Sequence, residues 1–165
     1  MGWVTLTLRK KNVKTDINET EQRDIELSRL LRSEQRNLAY EQSIFQTDKN
    51  GEIKDQKNIF DKARLSKPSK ANFGADNEAY VQAYEEWKVI YDQAKEDYEG
   101  MVADINDYYD TYMNILEEAS TELQEDIENE QTTVEAQLSH LRQELESVDG
   151  QIKGDMEASK LSLGS

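Results

Sequence analysis

The stretch that decides the fold is residues 77–119, NEAYVQAYEEWKVIYDQAKEDYEGMVADINDYYDTYMNILEEA. Its apolar and aromatic residues recur at alternating intervals of four and three, and it contains no proline. Such spacing is the heptad pattern of an α-helix that buries one side against other helices. The positions concerned are Tyr80, Tyr84, Trp87, Tyr91, Ala94, Tyr98, Met101, Ile105, Tyr108, Tyr112, Ile115 and Ala119.

The apolar pattern continues beyond this stretch after one interruption. Leu123 and Ile127 follow Ala119 at two successive intervals of four, which is a four-residue insertion, or stutter, in a heptad pattern. Heptad spacing resumes at Val134 and reaches Ile152. We therefore predict one coiled-coil helix over 77–149, followed by a flexible tail at 150–165 that contains three of the chain's glycines.

Residues 13–66 predict a hairpin of two shorter helices. Residues 13–45 contain no Pro or Gly, and their apolar side chains fall near one side of a helix. The segment TDKNG, residues 47–51, has the composition of a turn, so a second helix is expected over 52–66. Residues 67–76 contain the only proline, Pro68, and are predicted to be a loop.

The first twelve residues predict a strand-like arm. In WVTLTL, residues 3–8, β-branched and apolar side chains alternate with a period of two. The sequence offers no second strand, and a lone strand leaves its backbone hydrogen-bonding groups unpaired. The arm is therefore expected either to add to the sheet of a partner or neighbour, or to be a disordered or helix-capping segment.

These elements define an elongated all-α fold: a helical hairpin plus one very long helix in a coiled-coil bundle, with a short strand-like arm. The hairpin is long enough to cover residues 80–119 but leaves 120–152 without a partner in the chain. We therefore predict that other subunits complete it, in a homo-oligomer or a multi-copy assembly. The expected partner-binding residues are Trp3, Val4, Leu6 and Leu8 in the arm, and Leu123, Ile127, Val134, Leu138, Leu141 and Leu145 in the long helix.

The charge distribution restricts the kind of partner. The net charge is −15, and residues 76–165 contribute 5 Lys and Arg against 24 Asp and Glu. Such an acidic half repels nucleic acid and anionic membranes, so the tyrosines are expected to be core residues rather than a platform for bases. The chain also lacks a run of apolar residues long enough to span a membrane. The expected partners are other proteins.

No motif for a metal, a cofactor or catalysis is complete. Residues 46–57, QTDKNGEIKDQK, resemble a calcium-binding loop, but Gln46 and Lys57 replace the two acidic residues that should begin and end it. The only histidine, His140, follows Gln137 where a di-iron site needs a glutamate, and there is no cysteine. The sequence therefore predicts a non-enzymatic protein without a cofactor.

The opening WVTLTLRKKNVKTDINETEQRDIELSRLLR, followed by LAYEQSIF, resembles small helical virion proteins of tailed, crAss-like bacteriophages. The resemblance covers about the first 45 residues. It contains no ligand motif, so it assigns no functional residue. It implies a component of a capsid, of a portal–tail structure or of packaged cargo, found in the virion or, during assembly, in the host cytoplasm.

The favoured function is therefore that of a structural protein that bridges or spaces the subunits of a larger complex. In architecture the chain also resembles the small antiparallel coiled-coil stalk and escort proteins of flagellar and type III export. That resemblance implies the alternative of a soluble chaperone or escort. A further alternative is an acidic mimic that occupies a DNA-binding surface.

Overall fold

The computed structural model describes residues 2–164 and is built from two long α-helices. Helix α1 comprises Trp3–Leu65 and helix α2 comprises Asn77–Leu163. A short 3-10 helix, Lys70–Phe73, lies between them. Residues 2–164 contain no strand, which confirms the all-α prediction.

The connection between the helices has clear physical causes. Helix α1 ends three residues before Pro68, since a proline disfavours helical geometry in the residue that precedes it. Helix α2 begins after Asp76, whose carboxylate accepts a hydrogen bond from the backbone N–H of Ala79 at 3.0 Å, as a helix N-cap does. Between them, Gly74 has a φ of 57°, a left-handed conformation that favours glycine.

The helical residues form two compact units. Unit 1 combines residues up to Asn37 with residues from Ala119 onward. Within it α1 and α2 run antiparallel, as the pairing of Arg9 with Glu144 and of Arg23 with Glu130 shows. Its core lies between the two helices and includes the cluster Val13, Ile17, Leu27, Ile127, Val134 and Leu138.

Two polar layers interrupt the core of unit 1. Ser120 is buried; its hydroxyl donates to the Glu34 carboxylate and accepts from the Gln124 amide, each at 3.1 Å. Closer to the middle of the unit, Gln131 donates to the Ser28 hydroxyl at 3.0 Å. Buried polar pairs of this kind favour one register of the two helices, because any shift leaves a polar group without its partner.

Unit 2 comprises Leu38–Glu118 and is rich in aromatic contacts between its two antiparallel helices. Phe60 stacks on Tyr98 with a centroid distance of 5.2 Å, and Phe45 meets Tyr112 edge-on at 4.9 Å. Near the connection, the Trp87 indole donates a hydrogen bond to the Ala63 carbonyl at 2.8 Å. These contacts give the aromatic residues of α2 partners within the same chain.

The inward-facing positions of α2 change their spacing along the helix. From Tyr80 to Ala94, and again from Ile127 to Ile152, they keep the heptad intervals of four and three. Between Ala94 and Ile127 they follow three repeats of four, four and three residues. An eleven-residue repeat has about 3.67 residues per turn, close to a relaxed helix, so this segment needs little superhelical twist.

This spacing corrects the predicted heptad pattern over residues 101–119. The structure places a stutter in each of three successive repeats, whereas the sequence pattern suggested one, between Ala119 and Ile127. As a result Met101, Tyr108, Tyr112 and Ile115 are between 43% and 63% exposed. Ile105 is buried as predicted, and the other side chains that face α1 are Val102, Tyr109, Met113 and Leu116.

The predicted N-terminal strand is wrong, because α1 begins at Trp3. In a helix, Leu6 lies on the same side as Val13 and Ile17 and becomes fully buried, which alternation in a lone strand could not achieve. The weak helix propensity of Thr7 is tolerated, and its hydroxyl donates to the Trp3 carbonyl at 2.9 Å. Burial of the apolar side overrides local β propensity.

The predicted turn at residues 47–51 and the flexible tail at 150–165 are also not found. Helix α1 continues through Gly51, and α2 continues to Leu163. A glycine inside a helix costs only about 1 kcal/mol relative to alanine. A continuous helix keeps Ile53 and Phe60 on the side that already buries Phe45, and this packing outweighs that cost.

Candidate protein-interaction surface

The partner-binding residues predicted in the long helix lie mostly in the chain's own core. Ile127, Val134 and Leu138 are buried, and Leu141 and Leu145 pack partly buried against them. The prediction that residues 120–152 have no partner in the chain is wrong, because the N-terminal half of α1 covers them. Leu123 is the exception, with 43% of its side chain exposed.

The residues predicted as a docking arm are divided between core and surface. Leu6 is 1% exposed and therefore unavailable to a partner. Trp3, Val4 and Leu8 are more than half exposed on α1. A docking role for these three residues stays a prediction.

Unit 2 has a hydrogen-bonded edge along the α1–α2 junction. The Gln42 amide donates to the Glu117 carboxylate at 2.8 Å, and the Lys49 ammonium pairs with Asp110 at 3.0 Å. Glu117 and Asp110 are seven residues apart, so they lie on one side of α2. Along this edge, polar side-chain pairs therefore link α1 to α2.

The other edge of the same junction carries exposed apolar side chains. Ile44 of α1 and Tyr112 of α2 border a shallow depression of about 320 Å³ whose other lining residues are Glu41, Phe45 and Leu116. Tyr108 lies one turn before Tyr112, with a ring-to-ring distance of 6.2 Å. We call the exposed group the tyrosine face; it consists of Ile44, Met101, Tyr108, Tyr112 and Ile115.

The α2 members of the tyrosine face share one side of the helix. Met101, Tyr108, Tyr112 and Ile115 are separated by seven, four and three residues, which are the intervals of side chains on one helical face. Tyr108 is 63% exposed and Ile115 is 60% exposed. Contiguous exposed apolar groups of this kind, bordered by polar residues, typically mark a site of protein contact.

Carboxylates surround the tyrosine face. On α1, Glu41 lines its depression, and Asp48 and Glu52 continue the same side of the helix at intervals of seven and four. On α2, Asp104 lies between Met101 and Tyr108. Between Lys95 and Arg142, α2 carries fourteen carboxylates and no Lys or Arg. The surface is therefore apolar at its centre and negative at its rim.

The pKa of Tyr109 reflects the negative charge at the rim of the tyrosine face. Its hydroxyl donates to the Glu52 carboxylate at 2.8 Å. That hydrogen bond, together with partial removal from water and the charges of Glu52 and Asp48, raises the pKa of Tyr109 to about 12. Because the folded pKa is raised, the bond stabilises the fold below pH of about 10, and its contribution is lost as the pH rises toward about 12.

We expect Glu52→Gln to lower the pKa of Tyr109, because the substitution removes the charge that opposes ionisation of the phenol. The measurement is the NMR titration of the tyrosine phenolic carbons, with Tyr109→Phe used to assign the signal. Glu117→Gln removes the same charge from the hydrogen-bonded edge and should leave this titration unchanged. An unaltered Tyr109 titration in Glu52→Gln would contradict the assignment.

Other candidate sites are weaker. A depression of about 570 Å³ in unit 1 is lined by Thr20, Thr133, Ala136, Gln137, His140 and Leu141, a set that pairs His140 with no carboxylate. Among residues 2–164, no three His, Asp or Glu side chains converge as metal ligands would. In the same range, neither helix is apolar enough over a sufficient length to cross a membrane.

Comparisons of the chain with protein-family models, with curated proteins and with solved structures find no significant match.

The tyrosine face is absent from the predicted partner-binding residues. Heptad spacing predicts its tyrosines as core residues. The signal that separates core from surface is the acidic side of α1 that faces them.

Proposed function

We propose that the chain is a structural, non-catalytic protein that bridges or spaces the subunits of a larger assembly. The observation that supports this proposal is the tyrosine face. It is an exposed apolar surface, whereas the inward-facing apolar side chains of α1 and α2 pack against each other. Exposed apolar surface bordered by charge favours a protein partner over water. An assembly component needs such a surface, whereas a self-sufficient helical pair does not.

We further propose that the assembly is a phage virion, with the chain in the capsid, in the portal–tail structure or in packaged cargo. The support is the resemblance of the first 45 residues to virion proteins of crAss-like phages. The antiparallel helix pair in each unit and the acidic surface of α2 are compatible with either a virion component or an escort. The site of action is then the virion, or the host cytoplasm during assembly.

Purified particles test this proposal. We expect mass spectrometry of gradient-purified particles to find the chain in a fixed copy ratio to another subunit, retained after washing with high salt. Retention is expected because apolar contacts are not screened by salt, unlike contacts between exposed charges. A chain found only in soluble complexes, and lost from mature particles, would overturn the proposal and favour an assembly escort.

A further inference from the structure

We propose that the tyrosine face binds a second copy of the chain, through a basic strip on α1 of unit 1. We call this second surface the arginine strip; it consists of Ile25, Arg29, Arg32 and Arg36. This inference rests on the proposed assembly function and deepens it by naming the partner. The contact joins different surfaces on the two copies.

The arginine strip lies on one side of α1. Its members are separated by four, three and four residues, the spacing of neighbours along a helical face. All four are exposed, and Ile25 is 51% exposed. The strip therefore combines three cations with one exposed apolar side chain, Ile25, and its charge is the complement of the acid-rimmed tyrosine face.

The pairing of the chain's other arginines shows why this strip stands out. In unit 1, Arg9, Arg23 and Arg142 each pair with a glutamate on the opposite helix. The guanidinium groups of the strip make none of the ion pairs found among residues 2–164. They are available to carboxylates of another molecule, which arginine can bind with two parallel hydrogen bonds.

The spacing of the charges matches. Arg29 and Arg36 are seven residues apart, as are Glu41 and Asp48, so each pair spans about 10 Å along its helix. The apolar part of the tyrosine face, residues 101–115, extends about 21 Å, and the strip extends about 16 Å. A helix of this length can lay Ile25 against the tyrosines while its arginines reach the rim.

Contact between two tyrosine faces is disfavoured, because it would place carboxylates against carboxylates. A contact between unlike surfaces is either reciprocal, which closes a two-fold dimer, or one-sided, which leaves a free surface on each copy for further copies to join in a ring or a filament. In both cases the copies associate through unlike surfaces.

Two charge-reversed variants test this arrangement. Arg29→Glu with Arg32→Glu removes the strip, and Asp48→Lys with Asp104→Lys reverses the rim. In analytical ultracentrifugation the wild-type chain should form concentration-dependent oligomers, while each variant alone should remain a monomer of 19.1 kDa. In an equimolar mixture the intact strip meets the intact rim, and the two reversed surfaces also carry opposite charges, so the mixture should associate although neither variant does so alone.

Matched substitutions on the hydrogen-bonded edge provide the control. Glu99 lies one eleven-residue repeat before Asp110 and shares its side of α2. Glu99→Lys and Lys57→Glu change the charge by the same sign as the test substitutions and should leave oligomers intact. Helical circular dichroism checks that every variant is folded.

The outcomes separate the partner from the function. A wild-type chain that stays monomeric at every concentration, or a mixture of the two variants that does not associate, would overturn the second-copy contact. Oligomers that survive Asp48→Lys with Asp104→Lys would do the same. None of these results alters whether the chain is retained in purified particles, which is the separate test of the assembly function.

Discussion

Replacing Ile127 by alanine is expected to lower the free energy of unfolding of the isolated chain by about 2–5 kcal/mol. Ile127 is 4% exposed and packs in the core with Leu27 and Val134. The substitution leaves a cavity between the helices, which can close only in part because both backbones are held by neighbouring contacts. Urea denaturation followed by helical circular dichroism measures the change.

Leu123→Ala supplies the matched control for Ile127→Ala. Leu123 lies one turn earlier on α2 and is partly exposed, so the same kind of truncation should cost about 1 kcal/mol or less. The loss in Ile127→Ala should also be independent of protein concentration, because its packing partners belong to the same chain. A difference in unfolding free energy between wild type and Ile127→Ala that changes with protein concentration would instead place Ile127 between subunits.

The sequence predicted the positions of the helices better than it predicted which segments pack against each other. Heptad spacing and the absence of proline predicted α2 as far as residue 149 but not its extension to Leu163, and Pro68 marked the connection. The covering of residues 120–152 by α1 could not be predicted, since it depends on whether α1 is continuous. Gly51 and the turn residues around it suggested an interruption, and a single continuous helix is what gives α1 the length to reach the end of α2.

Spacing on α2 does not identify the tyrosine face, because apolar residues occur there in adjacent pairs. Tyr108 and Tyr109 are adjacent, as are Tyr112 and Met113, and Ile115 and Leu116. Either member of each pair can face inward, so spacing on α2 alone leaves the register open. The choice is made by α1, whose inward positions Phe45, Lys49 and Ile53 are four residues apart and impose the eleven-residue repeat.

The ion pairs of unit 1 determine the alignment of α1 on α2 more than they stabilise the fold. Lys10 pairs with Asp149, and this hydrogen bond lowers the pKa of the aspartate. Such pairs between exposed side chains typically contribute at most about 1 kcal/mol each. They do, however, select one alignment of α1 on α2, and that alignment positions Arg29, Arg32 and Arg36 on the outward side of α1.

Gly51 offers a decisive test of whether α1 is continuous. Gly51→Ala is expected to raise the free energy of unfolding by about 1 kcal/mol, because alanine favours a helix interior and its methyl group would meet no atom within 4 Å. Gly51→Pro should lower it by about 3 kcal/mol or more, because proline lacks the N–H and clashes with the preceding turn. A turn in which Gly51 had a positive φ would reverse the sign of the alanine effect, since alanine is strained in that conformation.

Two other glycines are the controls for Gly51→Ala. Gly100 lies inside α2 with similar free space, so Gly100→Ala should also stabilise by about 1 kcal/mol. Gly74 has a φ of 57°, so Gly74→Ala should destabilise by about 1–2 kcal/mol although space is available. Urea denaturation of the three alanine variants compares them directly, and a Gly51→Ala result that follows Gly74 rather than Gly100 would show that α1 is broken at this position.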